Sequence, residues 1–284
     1  MPTGSFHMAL PAAAAAFGLA LTGCSLPLPW PDSPLYAAPA IDPNWVGPMT
    51  REEALAAMAG HYAQYSIVAY DGETPNGPLS TFVVSYGFTD LVIENGELVA
   101  YDKFCHAESF ANQPFETVFS DAATQAIKPR RAVCDVYEEN GIWRVRRPPT
   151  PTLVGIDGDP NAPLSMDRSD PRLNDADEDG KPGITVQLKL YGFIDGEIYI
   201  ARREIFTNDM TLYSDGSLRG NVTDDSEQLV IGASLAILDT PNNPPQRRDP
   251  GLNPIILIPV SDDFDTCEDL MANRDALLPP APRF

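Results

Sequence analysis

Basic residues are scarce in this chain: 19 Lys and Arg stand against 40 Asp and Glu in 284 residues, a formal net charge of −21. So acidic a surface repels phosphate backbones and anionic head groups, which argues against nucleic acid as a partner and favours divalent cations and basic partners. Histidine is rarer still, with only His7, His61 and His106. No Gly-x-Ser-x-Gly elbow, His-Glu-x-x-His pair, phosphate loop or dinucleotide fingerprint occurs. Cys105 and His106 are adjacent, but neighbours on a strand point to opposite faces and do not form a thiolate–imidazole pair. The four cysteines show no CxxC and no zinc spacing. No apolar run reaches the length of about 20 residues that a spanning helix needs. The few basic side chains gather at Lys128, Arg130, Arg131, Arg144, Arg146 and Arg147, a pattern read as a solvated strand face.

The hydrophobic share, 43%, is enough for a packed core. Residues 8–23 carry no charge and are mostly small or apolar, and Cys24 follows them. This matches the core of a secretory signal. The run Leu21-Thr22-Gly23-Cys24 resembles the lipobox of bacterial lipoproteins, although no Lys or Arg precedes the apolar run. The resemblance implies cleavage before Cys24, a lipid on its thiol, and anchorage to a leaflet without spanning it. Ser25, where an Asp would retain many such proteins at the inner membrane, implies the outer membrane. The mature part resembles no family by its motifs.

Export agrees with the cysteine count. With Cys24 lipidated, Cys105, Cys134 and Cys267 remain, and an oxidising compartment permits one disulfide. Cys105–Cys134 is the first choice, since both lie in the same β-rich half; Cys267 is the alternative partner of either.

Residues 24–49, rich in proline, read as an extended tether. Thr50-Arg51-Glu52-Glu53 has the form of a capping box and predicts a helix over Arg51–Ala63 with Leu55 and Met58 inward. From Gln64 to about Leu238 the pattern is strand and hairpin. Asn95-Gly96, Asn140-Gly141, Asp195-Gly196 and Asp215-Gly216 are turn dipeptides between β-type runs. Tyr86-Gly87-Phe88-Thr89-Asp90 is echoed by Tyr191-Gly192-Phe193-Ile194-Asp195, and Thr117–Asp121 by Thr211–Asp215, which suggests an internal duplication. The expected fold is mostly β: an antiparallel meander forming a barrel or two-sheet sandwich from two related halves, with short N- and C-terminal helices. The expected divisions are a signal peptide at 1–23, the tether at 24–49, a first half at 50–155, an acidic linker at 156–183, a second half at 184–240, and a C-terminal strand and helix at 241–284. A strand over Ile255–Val260 and a helix over Asp262–Arg274 are expected there, with frayed residues from Leu277 onward.

The most specific local pattern is Asp175-Ala176-Asp177-Glu178-Asp179-Gly180. Calcium wants six to eight oxygens, and alternating carboxylates around a tight glycine turn supply several from one loop. The expected ligands are Asp175, Asp177, Asp179 and the Lys181 carbonyl, with others drawn from Asp157, Asp159, Asp167, Asp170 or water. The pattern resembles EF-hand and extracellular dockerin-type loops. However, Val186 stands where an EF-hand has its bidentate Glu, and a strand follows instead of a helix. Tyr86, Phe88, Tyr191 and Phe193 are weaker candidates for lining a ligand cavity. The expected function is an exported, lipid-anchored envelope protein, not an enzyme, that binds a small ligand or envelope partner or serves structurally. The alternative is a secreted hydrolase using a carboxylate pair.

Overall fold

The computed structural model describes residues 26–42, 45–74, 77–129 and 131–284. The lipobox and Cys24 lie outside the described residues, as does Arg130. In chain order the elements are α1 (Arg51–Met58), β1 (Gly60–Thr74), β2 (Gly77–Glu94), β3 (Glu97–Ala111), β4 (Phe115–Phe119), α2 (Asp121–Gln125), β5 (Arg131–Glu139), β6 (Ile142–Arg147), β7 (Thr152–Val154), β8 (Ile184–Leu190), β9 (Ile194–Glu204), β10 (Phe206–Leu212), β11 (Leu218–Asp224), β12 (Glu227–Ala233), β13 (Pro254–Pro259) and α3 (Cys267–Leu277).

Two turns are dictated locally. Asn95-Gly96 joins β2 to β3 with φ of 53° and 80°, and Asn140-Gly141 joins β5 to β6 with 54° and 80°. Both residues of such a turn need positive φ, which Asn tolerates and Gly adopts freely. Eight strands then close into an antiparallel ring in the order β1-β2-β3-β5-β6-β10-β11-β13, with β13 returning to β1. Closure leaves no edge in the ring. The C-terminal part of β3 also pairs with β4, and the same sheet extends from the ring through β4, β8, β9 and β12, with β7 beside β9.

An eight-stranded barrel is just wide enough for its own side chains to fill. Leu91, Leu98, Val145, Met210, Leu212, Leu218 and Leu257 fill it here. Helix α1 closes one end with Ala54, Leu55 and Met58. Its capping box is formed: Thr50 Oγ1 accepts from Glu53 N–H, and Glu53 Oε2 accepts from Thr50 N–H. The helix ends at Met58, earlier than expected, because β1 begins at Gly60.

The outer face of the wall is also buried. Ala63, Tyr65 and Ile67 of β1 and Phe82, Tyr86 and Phe88 of β2 lie beneath α3 and the C-terminal tail. The N-terminal segment joins them: Trp30 meets Phe82 edge-on at 5.0 Å, and Phe284 stacks on Phe82 at 4.8 Å. Thus the expected tether packs on the barrel through Trp30, Leu35, Tyr36 and Trp45, and the tail expected to fray is docked. Docked apolar side chains overcome the extended bias of proline in one case and terminal entropy in the other.

The disulfide is Cys105–Cys267, not Cys105–Cys134. Cys134 faces the barrel interior and Cys105 faces outward toward α3, so the wall separates them. Helix α3 runs Cys267–Leu277, starting five residues later than the expected Asp262, with Thr266 as its cap. The echoed segments fall on different structures. Tyr86–Asp90 lies inside β2, whereas Tyr191-Gly192 forms the β8–β9 turn with φ of 54° and 74°. Asp195-Gly196 is therefore in β9 and not a turn. Strands from 50–155 and from 184–240 interleave in the ring and in its extension through β4.

Candidate functional site

Three places on the described chain bring chemistry-bearing side chains together. The first is the acidic loop. It closes on itself just before β8: Ala176 N–H donates to Gly183 O, and Gly183 N–H to Asn174 O. Gly183 must be glycine, with φ of 87° and no room for a Cβ against the Ile200 carbonyl. This pinch brings one carboxylate oxygen each of Asp175, Asp177 and Asp179 within 4.8 Å of one another. Asp175 accepts the Asp179 and Gly180 N–H groups, and Asp177 Oδ2 accepts Thr185 N–H. Asp177 Oδ1 is buried and has no hydrogen-bond partner. Burial, opposed by the Thr185 N–H but reinforced by the other two carboxylates, holds the Asp177 carboxyl above its ordinary range. The Thr185 hydroxyl and the Lys181 ammonium keep that of Asp179 low.

An orphaned buried oxygen among three carboxylates fits a hard divalent cation. The further expected ligands do not join the cluster. Asp170 is engaged by Arg172, Asp167 by Ser169, Asp159 by Asn161 and Asp157 by Asn174. The Lys181 ammonium lies 2.7 Å from Glu197 and 3.5 Å from Asp179.

The second place is the barrel mouth opposite α1, where the interior turns polar. Arg147 and Asp102 form a buried ion pair at 3.1 Å. Thr89 bridges Asp102 and Gln64. Beside them is a cavity of about 40 Å³ lined by, among others, Ser66, Asp102, Arg147, Asn208 and Glu204. Asn208 Oδ1 is buried without a partner. Such a space holds about three waters, far below the roughly 300 Å³ of an organic ligand site. At the end of β9, where the chain passes into β10 of the ring, Arg202 meets Glu204 at 2.7 Å and Asp224 at 3.9 Å, and Tyr70 donates to Asp224. Burial pushes the Glu204 carboxyl up, against the pull of Arg202.

This network has a pH signature. A carboxyl that is easier to protonate when folded adds stability below its ordinary value of 4.5, and that contribution is lost as pH rises through its folded value. Glu204→Gln is therefore expected to flatten the decline. Urea midpoints for both proteins from about pH 4 to about pH 7 measure it; parallel curves would assign the decline to another group.

The sequence places Arg147 in a solvated basic cluster and does not single out Asp102 or Glu204, although a signal was present. Trp143, Val145 and Arg147 share one strand face, as do Leu98, Ala100 and Asp102. A charge at the parity of the apolar face marks a buried ion.

The third place is a shallow groove of about 590 Å³ at the α1 end, lined by residues including Gly60, His61, Asp90, Val92, Ile93 and Asp262. His61 Nδ1 lies 2.5 Å from Asp90 Oδ1, and Nε2 lies 3.0 Å from the Phe264 carbonyl. Among the described residues no Ser, Thr or Cys lines the groove.

The four aromatics do not line a cavity together. Tyr86 and Phe88 are packed in the outer core, Phe88 against His61 at 4.9 Å, because α3 covers that face. Tyr191 and Phe193 sit exposed at the β8–β9 turn. The basic cluster is only partly solvated: Arg144 and Arg146 both bind Asp209, Arg131 binds Glu94, and Arg147 is interior. No protein family, curated protein or solved structure matches this chain.

Proposed function

We propose that the chain is an exported lipoprotein, anchored through Cys24 to the outer membrane, whose barrel is a non-enzymatic binding or structural module stabilised by calcium at Asp175, Asp177 and Asp179. The observation that carries the non-enzymatic reading is the filled barrel. Its polar mouth has room for water only, and the acids there already face arginines. The groove beside His61 and Ile93, open and partly apolar, suits contact with a small ligand or an envelope protein.

One observation favours the hydrolase reading. Asp102 and Glu204 line the same cavity, and burial raises the Glu204 carboxyl above its ordinary range. A glycosidase needs two carboxylates flanking a bound sugar, with space for it between them. The cavity of about 40 Å³ lacks that space, which weighs against the reading.

The anchor is tested by fractionation. Wild-type protein is expected in the membrane fraction with acyl label on Cys24, and Cys24→Ala in the soluble fraction without it. Equal distribution of the two would remove the anchor.

A further inference from the structure

Among the described residues, large exposed apolar side chains gather at two places: Val46, Met49, Val92 and Ile93 at the α1 end, and a second group at the opposite end. Phe193, 76% exposed, and Tyr191 cap the β8–β9 turn with their rings 6.3 Å apart. Tyr191 N–H donates to Pro114 O, which belongs to the turn between β3 and β4. Two residues back in that turn, Asn112 exchanges hydrogen bonds with Leu28: Leu28 N–H donates to Asn112 O, and Asn112 Nδ2 to Leu28 O. Leu28 and Leu26, the latter 85% exposed, therefore enter the fold beside the aromatic turn.

On the other flank, β9 binds the end of β12. Glu197 N–H donates to Ser234 Oγ, and Ser234 N–H to Glu197 O. The exposed Leu235 and Ile237 follow directly. The β1–β2 hairpin ends here as well, with Thr74 Oγ1 bonded to Gln113. Three segments thus place exposed apolar side chains on one end, beside the β1–β2 hairpin. Charges border it at Glu73, Asp195 and the Lys189–Glu116 pair.

What would cover this end follows from the covalent chain. Cys24 precedes Leu26 by two residues, a reach of at most about 7 Å. An acyl chain on Cys24 would hold Leu26 within the thickness of a bilayer interface, leaving no room for a protein between. Exposed Phe and Leu gain free energy there by burying apolar area, and Tyr suits the head-group level.

We propose that this end docks on the bilayer surface, with Leu26, Leu28, Phe193 and Ile237 entering the interface. The inference rests on the reading of Cys24 as the anchor. It sets an orientation. The acidic loop, at the Ile184 end of β8, stands about 20 Å further from the membrane. The His61 groove, at the α1 end of the barrel, faces away from the membrane, open to a partner.

The test uses the full chain with an environment-sensitive fluorophore at Phe193→Cys and, for reference, at Asp275→Cys on α3, which is 99% exposed in its side chain. Both are read on bacterial membranes and, with Cys24→Ala added, on phosphatidylcholine vesicles. The native thiols do not compete, since Cys134 is buried and Cys105–Cys267 is closed. On membranes, the label at 193 is expected to shift to shorter wavelength, to be quenched by nitroxide lipid and to lose quenching by iodide. The label at 275 is expected to do none of these. A label at 193 that stays open to iodide while Cys24→Ala releases the protein would overturn the docking and leave the anchor standing. Lipid quenching at 193 that persists on vesicles without Cys24 would support the docking even if the anchor reading failed. Shielding from both quenchers would mean a protein covers this end, and would overturn the proposal.

Discussion

Millimolar calcium is expected to raise the melting temperature, and Asp177→Asn to abolish the rise. Three carboxylates held within 4.8 Å repel one another, and one buried oxygen of Asp177 has no partner. A loop site with few built ligands falls in the weak extracellular range, Kd about 0.1–1 mM. At a tenfold excess over Kd, which millimolar calcium reaches at the tight end of that range, binding to the folded state alone adds about 1.4 kcal/mol. For a chain of this size that corresponds to a shift of roughly 3–6 °C. Asn is the informative substitution because its side-chain oxygen can still accept the Thr185 N–H, so the metal-free fold is preserved while a charge is lost.

The effect should depend on pH with a definite sign. The raised Asp177 carboxyl contributes stability below the ordinary aspartate value of 3.8, and that contribution is lost as pH rises through its folded value. Calcium replaces the missing proton, so its stabilisation should grow toward neutral pH and fade in acid. Calorimetric titration with melting curves in calcium and in chelator measures both. A calcium shift that survives in Asp177→Asn would place the ion elsewhere, and no heat at millimolar calcium would return the loop to a solvated acidic turn.

The disulfide should carry a similar or larger share. Cys105–Cys267 closes a loop with a sequence separation of 162 residues. Loops of this length gain most from restriction of the unfolded chain, and removal of a native disulfide costs about 2–5 kcal/mol. The pair Cys105→Ser and Cys267→Ser is expected to lower the urea midpoint accordingly and to loosen α3 from the outer wall. That would expose Tyr65, Phe82 and Tyr86 to a hydrophobic dye. Cys134→Ser should leave the disulfide intact. Burial pushes the Cys134 thiol up to about 12, so it should react with thiol reagents only after unfolding. A non-reduced digest linking Cys105 to Cys134, or loss of the crosslink in Cys134→Ser, would reject this pairing.

What could be read along the chain shares one property: its cause is local. Asn95-Gly96 and Asn140-Gly141 make turns because φ is a property of those residues. The Thr50–Glu53 cap forms because its partners are three residues apart. The acidic triad converges because all its members lie in one loop. Even local signals yielded where a neighbour competed. Asp195-Gly196 lost the turn to Tyr191-Gly192, where the β4–β8–β9 register placed it.

The readings that failed depended on contacts distant in sequence. Pairing cysteines by shared half ignored the wall between Cys105 and Cys134. Tyr86 and Phe88 resembled Tyr191 and Phe193 as strings, yet one pair is buried beneath α3 and the other is exposed, because sequence does not say which strand face is covered. The polar mouth assembles Tyr70, Asp102, Arg147, Arg202 and Asp224 from five separate strands. Apart from Arg202 and Glu204 on β9, no short window contains two of its partners.

By itself, then, the sequence determined the β class, two tight Asn-Gly turns, the first helix and the acidic loop, since each follows from residue chemistry within a few positions. Only tertiary structure decided the ring closure through β1–β13 and β3–β5, the double-sided burial of β1, the disulfide, and which aromatic pair meets solvent. Those depend on which distant surfaces bury one another, and apolar burial is non-directional until the chain has chosen its partners.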